Sequence, residues 1–334
     1  MTQAIGDLAR FIATRTRVAQ ASQDLARTTS EVSSGIKSDI GGALKGDFTR
    51  LTSVERGLRL NDSYMNGANL AKGFFAGMQN ALGRGQDVVV ELGPRLISNA
   101  GTGQTSQLLI VATEAESGFE QFVGALNTQI GGRSAFSGTA TDALALVPAG
   151  DMLADLELLV AGAPDAATMI TLVNDYFTDP AGGYETTAYQ GDAAPQSGYT
   201  IGEGNRVSSE ITALDPAIRR ILSGLALGTL LAREVGPLDP ESRSDLGRQA
   251  GEWMQEGNDA TTLVRAGLGV SEAQVDTALT QIRATETALG TARSELIVAD
   301  PFEAAIELQS VETRLETLYL MTARLQRLTL AEYL

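Results

Sequence analysis

Histidine and cysteine are both absent from the 334 residues. Their absence excludes catalytic triads built on His or Cys, Cys/His zinc sites, disulfides and thiol redox chemistry. Any catalysis would have to rest on carboxylates, hydroxyls, Lys, Arg or the backbone. Aromatic residues make up only 5% and tryptophan occurs once, so a pocket lined with rings is not expected. Basic residues are scarce: 25 Lys and Arg face 41 Asp and Glu, a net charge of −16. A polyanion of that strength repels phosphate, which argues against a nucleic-acid partner. No hydrophobic run is long enough to insert in a bilayer. The most apolar stretch, Ile221 to Ala232, is interrupted by Ser223, Gly224 and Gly228 and falls well short of the roughly 20 residues needed. It reads as a buried helix. Met1-Thr2-Gln3-Ala4-Ile5-Gly6-Asp7 lacks the basic start and apolar stretch of a cleavable signal peptide.

What is present is a segmented, Ala- and Gly-rich chain. Residues 1–60 hold nine Lys/Arg against six Asp/Glu, and residues 300–334 hold three against six. From Ser134 to Asn205 there is no Lys or Arg at all, against ten carboxylates, and four of the nine prolines fall there: Pro148, Pro164, Pro180 and Pro195. That block marks a change of domain. The expected organisation is terminal coiled-coil segments at 1–45 and 300–334, a helical core from 46–133 and 206–299, and an acidic inserted outer domain over 134–205. The inserted block should carry a short helix near Met152–Ala161 and strands around Tyr184–Gln190 and Tyr199–Val207.

The flanks read as helix. Proline is absent before Pro94, between Pro240 and Pro301, and after Pro301, which permits long helices. Periodicity makes the prediction. Alternating steps of three and four near the N-terminus select Leu8, Phe11, Arg15, Val18, Ser22, Leu25, Thr29, Val32 and Ile36. The same rule near the C-terminus selects Leu308, Val311, Leu315, Leu318, Thr322, Leu325 and Thr329. Between them Leu268, Val275, Ile282, Leu289 and Leu296 recur every seven residues, a spacing that keeps one seam on one side of a supercoiled helix. Asp300-Pro301-Phe302-Glu303 is a helix start with Asp300 as N-cap and Glu303 reaching back; Asp239-Pro240 and Asp215-Pro216 are further starts. Gly267 and Gly269 ahead of Ser271-Glu272 suggest a helix end and a new cap.

Candidate chemistry is thin. Gly83-Arg84-Gly85 and Gly101-Thr102-Gly103 lack the spacing of a phosphate loop and read as turns or hinges. Asp151, Asp155 and Glu157 match no calcium loop and read as a solvated acidic face. Asp24, Glu31, Glu312 and Glu316 are helical surface charges, and Trp253 is a packing anchor. No catalytic, cofactor-binding or metal-binding residue emerges, so a non-enzyme without cofactors is expected. The terminal seams carry opposite net charge and can pair. Burying one two-helix seam does not by itself offset the backbone entropy of ordering both segments, so the pair should need neighbours, as a segment that folds on assembly does.

Several motifs then resemble a known family. They are Leu25 followed by Glu31-Val32-Ser33-Ser34-Gly35-Ile36-Lys37; Asn99-Ala100-Gly101-Thr102; Asn127 through Gly132-Arg133-Ser134-Ala135-Phe136-Ser137-Gly138-Thr139; Tyr189-Gln190-Gly191-Asp192; Arg293-Ser294-Glu295; and Asp300 to Leu334, with Leu308, Leu315, Leu318, Ala323, Leu325, Leu328, Leu330 and the final Tyr333-Leu334. Together they resemble the flagellin-like axial proteins of the bacterial flagellum, closest to the hook-associated proteins of the hook–filament junction. The resemblance covers 1–140 and 205–334. It implies a mainly α fold: long N- and C-terminal helices paired in a coiled-coil or bundle core, with a small inserted α+β outer domain. It implies a structural adaptor outside the cell, joining hook end to filament. Export would run through the flagellum's own type III channel without a cleavable signal peptide. Its partners would be copies of itself in a helical layer, a second hook-associated junction protein, flagellin and an export chaperone, with no nucleic acid and no membrane insertion. The implied assembly interface is Leu8, Phe11, Val18, Leu25, Val32, Ile36, Leu308, Val311, Leu315, Leu318, Leu325 and Leu328. The competing readings are a divergent filament flagellin, a cytosolic coiled-coil signalling module and a hydrolase using only carboxylates.

Overall fold

A computed structural model describes residues 2–237 and 239–331, with side chains for 12–237 and 239–324. Long helices dominate it, with two short hairpins, as a mainly α chain with a small sheet component requires. The chain divides into two compact units, Met1–Asn61 with Ala284–Leu334, and Asp62–Arg283.

The first unit is built from both ends of the chain. Helix α1 (Thr2–Ser34) is followed by the short α2 (Ile40–Ala43) and the beginning of α3 (Thr49–Gly101); the end of α8 (Pro240–Ile297) leads to α9 (Pro301–Ala331). The Ser-Ser-Gly turn stops α1. Gly35 takes a φ of 68°, which a side chain would resist, and its N–H still reaches Glu31 O at 2.8 Å. Just beyond, Ile36 and Val298 form an antiparallel bridge: Lys37 N–H donates to Ile297 O at 2.9 Å and Ala299 N–H to Gly35 O at 3.0 Å. Asp300 then caps α9 by accepting from the N–H groups of Phe302 (2.8 Å) and Glu303 (3.3 Å). On the neighbouring helices Leu51, Val54 and Asn61 of α3 are buried, and Gly57 sits close enough to Leu289 that a Cβ would stand 3.1 Å from it.

The second unit holds one continuous hydrophobic core. Its centre is α7 (Pro216–Ala232), capped by Asp215 and buried along nearly its whole length, so the most apolar run of the sequence is a core helix. Around it pack α4 (Thr105–Leu126) and the 62–101 and 240–283 portions of α3 and α8. Glycine lets these helices close up: a Cβ on Gly85 would meet the Phe122 ring at 2.4 Å, and one on Gly257 would meet the Ile221 backbone at 2.7 Å. Gly83 and Gly85 therefore lie inside α3 as contact points and not in a turn. Gly103, at φ 68°, does turn the chain between α3 and α4. The break expected at Gly267 and Gly269 does not occur. Burial of Leu268, Val275, Leu279 and Ile282 on one stripe holds α8 together through both glycines, each costing about 1 kcal/mol of propensity.

The acidic stretch is threaded into the same core. Strands β1 (Gln129–Ile130) and β2 (Arg133–Ser134) form a hairpin closed by Gly131 and Gly132, both at positive φ. Helices α5 (Ala149–Val160) and α6 (Ala166–Thr178) follow, then a second hairpin of β3 (Tyr199–Gly202) and β4 (Asn205–Val207). The Tyr184–Gln190 stretch is not a strand: Tyr184–Ala188 makes a π-helical turn. Its anchor is Tyr184, fully buried beneath the Arg219 guanidinium and donating its hydroxyl to Ala213 O at 2.7 Å. Two of the motifs singled out in the sequence meet here. Thr139 N–H donates to Ala194 O, Asp192 N–H to Ser137 O, and Thr139 Oγ1 to Asp192 Oδ2 at 2.6 Å.

Candidate functional site

The two chain ends pair. Arg27 on α1 reaches Glu307 on α9 at 3.1 Å, and Arg17, Gln20, Ala21 and Asp24 share a hollow with Arg314 and Leu318. Residue numbers rise along α1 as they fall along α9, and the Ile36–Val298 bridge continues that order. The helices are thus antiparallel. The ion pair is exposed and adds about 0.2–1 kcal/mol, so apolar contact holds the pair and charge orients it.

The seam on α1 consists of buried Ala21 and Thr28 with half-buried Val18 and Leu25; on α9 it is buried Ala304 and Val311 with half-buried Leu308, Leu315 and Leu318. The alternate positions sit one residue earlier than the stripe through Ser22 and Thr29. Ala21 brings no polar atom into the seam. Thr28 meets its own need by donating to Asp24 O at 2.9 Å, so its burial leaves no unpaired hydroxyl. Val32 and Ile36 lie off the seam, 44% and 40% exposed. Leu8, Phe11, Leu325 and Leu328 lie on helical backbone, but their side chains are outside the described ones, and Tyr333-Leu334 lie outside the described residues altogether.

A second apolar set escaped the periodicity. Phe302 and Ile306, one turn apart on α9, are 80% and 69% exposed, and Tyr319, Leu320 and Met321 are also bare. The signal was present in the spacing of Phe302 and Ile306, but they fall off the three-four step that picks out Leu308. The unit thus uses one face of α9 against α1 and leaves further apolar side chains uncovered.

The other candidates have structural occupations. Glu157 pairs with Arg233, which also holds Glu116. Trp253 is buried with the Arg220 guanidinium over its ring at 5.3 Å. Burial pushes the Tyr189 hydroxyl up to about 12, and that hydroxyl donates to Asp192 O at 2.8 Å. Among the described residues, the carboxyl held above its ordinary value is Asp215, raised by burial, and its oxygen is spent capping Ala217 N–H at 2.9 Å. No cluster of three or more Asp or Glu positioned for a metal, and no helix long and apolar enough to cross a membrane, occurs among the described residues.

Comparison with known proteins adds two findings. Residues 253–334 match the family model described as the bacterial flagellin C-terminal helical region. A solved structure provisionally named a flagellar hook-associated protein, from Vibrio parahaemolyticus, superposes with a TM-score of 0.55 over 75% of this chain and 99% of its own, at 14% identity. No curated protein sequence matches the chain. The C-terminal helical region is therefore flagellin-like, and the fold is shared with a structure named as flagellar.

Proposed function

We propose that the protein is a structural adaptor of the bacterial flagellum, forming a layer between the hook end and the flagellin filament, a reading that starts from its flagellin-like C-terminal helical region. The observation that carries this reading is the antiparallel α1–α9 pair, which closes its own seam yet leaves Phe302, Ile306, Leu320 and Met321 bare. A two-helix pair with uncovered apolar side chains is suited to packing against neighbours in a tube. The interface would comprise the seam residues Val18, Leu25, Leu308, Val311, Leu315 and Leu318, the exposed Val32 and Ile36 beside the seam, and Leu8, Phe11, Leu325 and Leu328 beyond it. Its partners would be further copies of the chain, a second hook-associated junction protein and flagellin, with a chaperone covering the C-terminal helix before type III export. The likeness to a structure named as hook-associated supports a junction role over a catalytic one.

The test is removal of residues 300–334. Cells carrying only the truncated chain should assemble hooks and lose attached filaments; filaments that stay attached would refute the assignment. The flagellin match at the C-terminus also favours a second reading, a divergent filament flagellin. Position separates the two, since immunolabelling of a junction protein marks one short zone and that of a flagellin marks the whole filament.

A further inference from the structure

Between α5 and α6 lies an open groove of about 660 Å³. Its floor is Leu158, Leu159 and Leu172, and Leu158 is 80% exposed. Asp155, Asp175 and Asp179 stand around it, and no Lys or Arg is among its lining residues. The C-terminal end of α6 adds negative potential beside Asp175 and Asp179. Tyr176 lines the same groove. It is 6% exposed and its hydroxyl is buried. Thr187 beside it donates its own proton to Gly183 O at 2.6 Å and keeps its oxygen for the Tyr176 hydroxyl.

We infer that this groove docks a basic amphipathic helix from another protein, with apolar side chains on Leu158, Leu159 and Leu172 and Lys or Arg toward Asp155, Asp175 and Asp179. The charge pattern selects the occupant. The floor demands apolar side chains, and the aspartates demand cations around them, which is one face of a helix bearing Leu and Lys. The chain itself carries a net charge of −16, and Ser134 to Asn205 has no basic residue, so a second copy approaches this face against repulsion. The inference stands apart from the flagellar assignment, since it uses no residue of the α1–α9 pair.

The probe is a synthetic Leu–Lys amphipathic helical peptide titrated onto the full chain by calorimetry at two salt concentrations. Binding should weaken with salt. Leu158→Ser should lower affinity about tenfold, the worth of burying one leucine. That side chain is exposed in the free protein, so its folding should be untouched. Changing Asp155, Asp175 and Asp179 together to Asn should remove most of the salt dependence. Equal binding of oligolysine, equal binding of the peptide with Glu in place of Lys, or indifference to Leu158→Ser would overturn the inference. So would self-association of the chain that Leu158→Ser abolishes, because the occupant would then be a second copy.

Discussion

Gly251 on α8 lies so close to Gly93 on α3 that a Cβ added to Gly251 would stand 2.6 Å from the Gly93 carbonyl oxygen. The two backbones meet without side chains between them. Neither can retreat cheaply, because Ile97 Cγ1 is also 2.6 Å from the same point. Gly267 lies on the same helix, exposed and with nothing within 4 Å. Alanine at Gly251 should therefore destabilise by about 1–3 kcal/mol, overpacking outweighing helix propensity. Alanine at Gly267 should stabilise by about 0.5–1 kcal/mol. Urea denaturation of the two variants checks this, and shifts of the same sign would contradict the packing seen here.

Arg233, just past the end of α7, holds Glu116 of α4 at 2.6 Å and Glu157 of α5 at 2.5 Å. The side chains are about one-third exposed, so screening limits what the network contributes. Arg233→Met should cost about 1 kcal/mol at low salt and less at high salt. A double-mutant cycle with Glu157→Gln should show coupling, because both changes break the same link between the acidic stretch and the core.

Two carboxyls should give stability opposite dependences on pH. Burial holds Asp215 above its ordinary value of 3.8, against the pull of the Ala217 N–H and the Arg219 charge. Between 3.8 and the raised value the folded chain keeps a proton that the unfolded chain has lost, so this group's contribution falls as pH rises through that window. Asp215→Asn keeps a capping acceptor and removes the charge, so it should stabilise at neutral pH and have no effect near ~pH 3. Glu114 behaves the other way. The Arg95 guanidinium, bonded to it at 2.6 and 2.7 Å, holds it below its ordinary 4.5. Its stabilisation is complete above 4.5 and is lost as pH falls through its folded value. Glu114→Gln should thus destabilise at neutral pH and become silent in acid. Thermal unfolding across pH reads both.

Local chemistry was legible in the sequence where it acts over a few residues. The three Asp-Pro starts cap α7, α8 and α9, and the heptads at Leu268, Val275 and Ile282 are buried. Tertiary packing overrode local rules at Gly267 and Gly269, where a buried stripe outbids two weak helix formers. On α1 the periodic stripe runs through Ser22 and Thr29, one residue from the buried Ala21 and Thr28, because a step of three or four admits both Ser22 and Ala21. Only the facing helix selects the residue that can be buried without an unpaired polar atom. The spacing of Phe302 and Ile306 is visible in the sequence, but their exposure is not, and the groove between α5 and α6 likewise depends on which surfaces the fold leaves uncovered.

The α1–α9 pair has two kinds of apolar residue, and substitution should separate them. Val311 is buried in the seam, 6% exposed, while Phe302 is 80% exposed on the same helix. Val311→Asp buries a charge in the apolar seam, so it should open the pair within a single chain, a loss of about 3 kcal/mol or more. Reduced helicity and faster proteolysis of both chain ends would register it. Phe302→Ser removes nothing that the single chain buries. Its unfolding should match that of the unaltered protein, while attachment of filaments to hooks should fall. If Phe302→Ser leaves attachment intact and Val311→Asp abolishes it, the pair acts through its internal seam alone, and the uncovered face on α9 has no part in assembly.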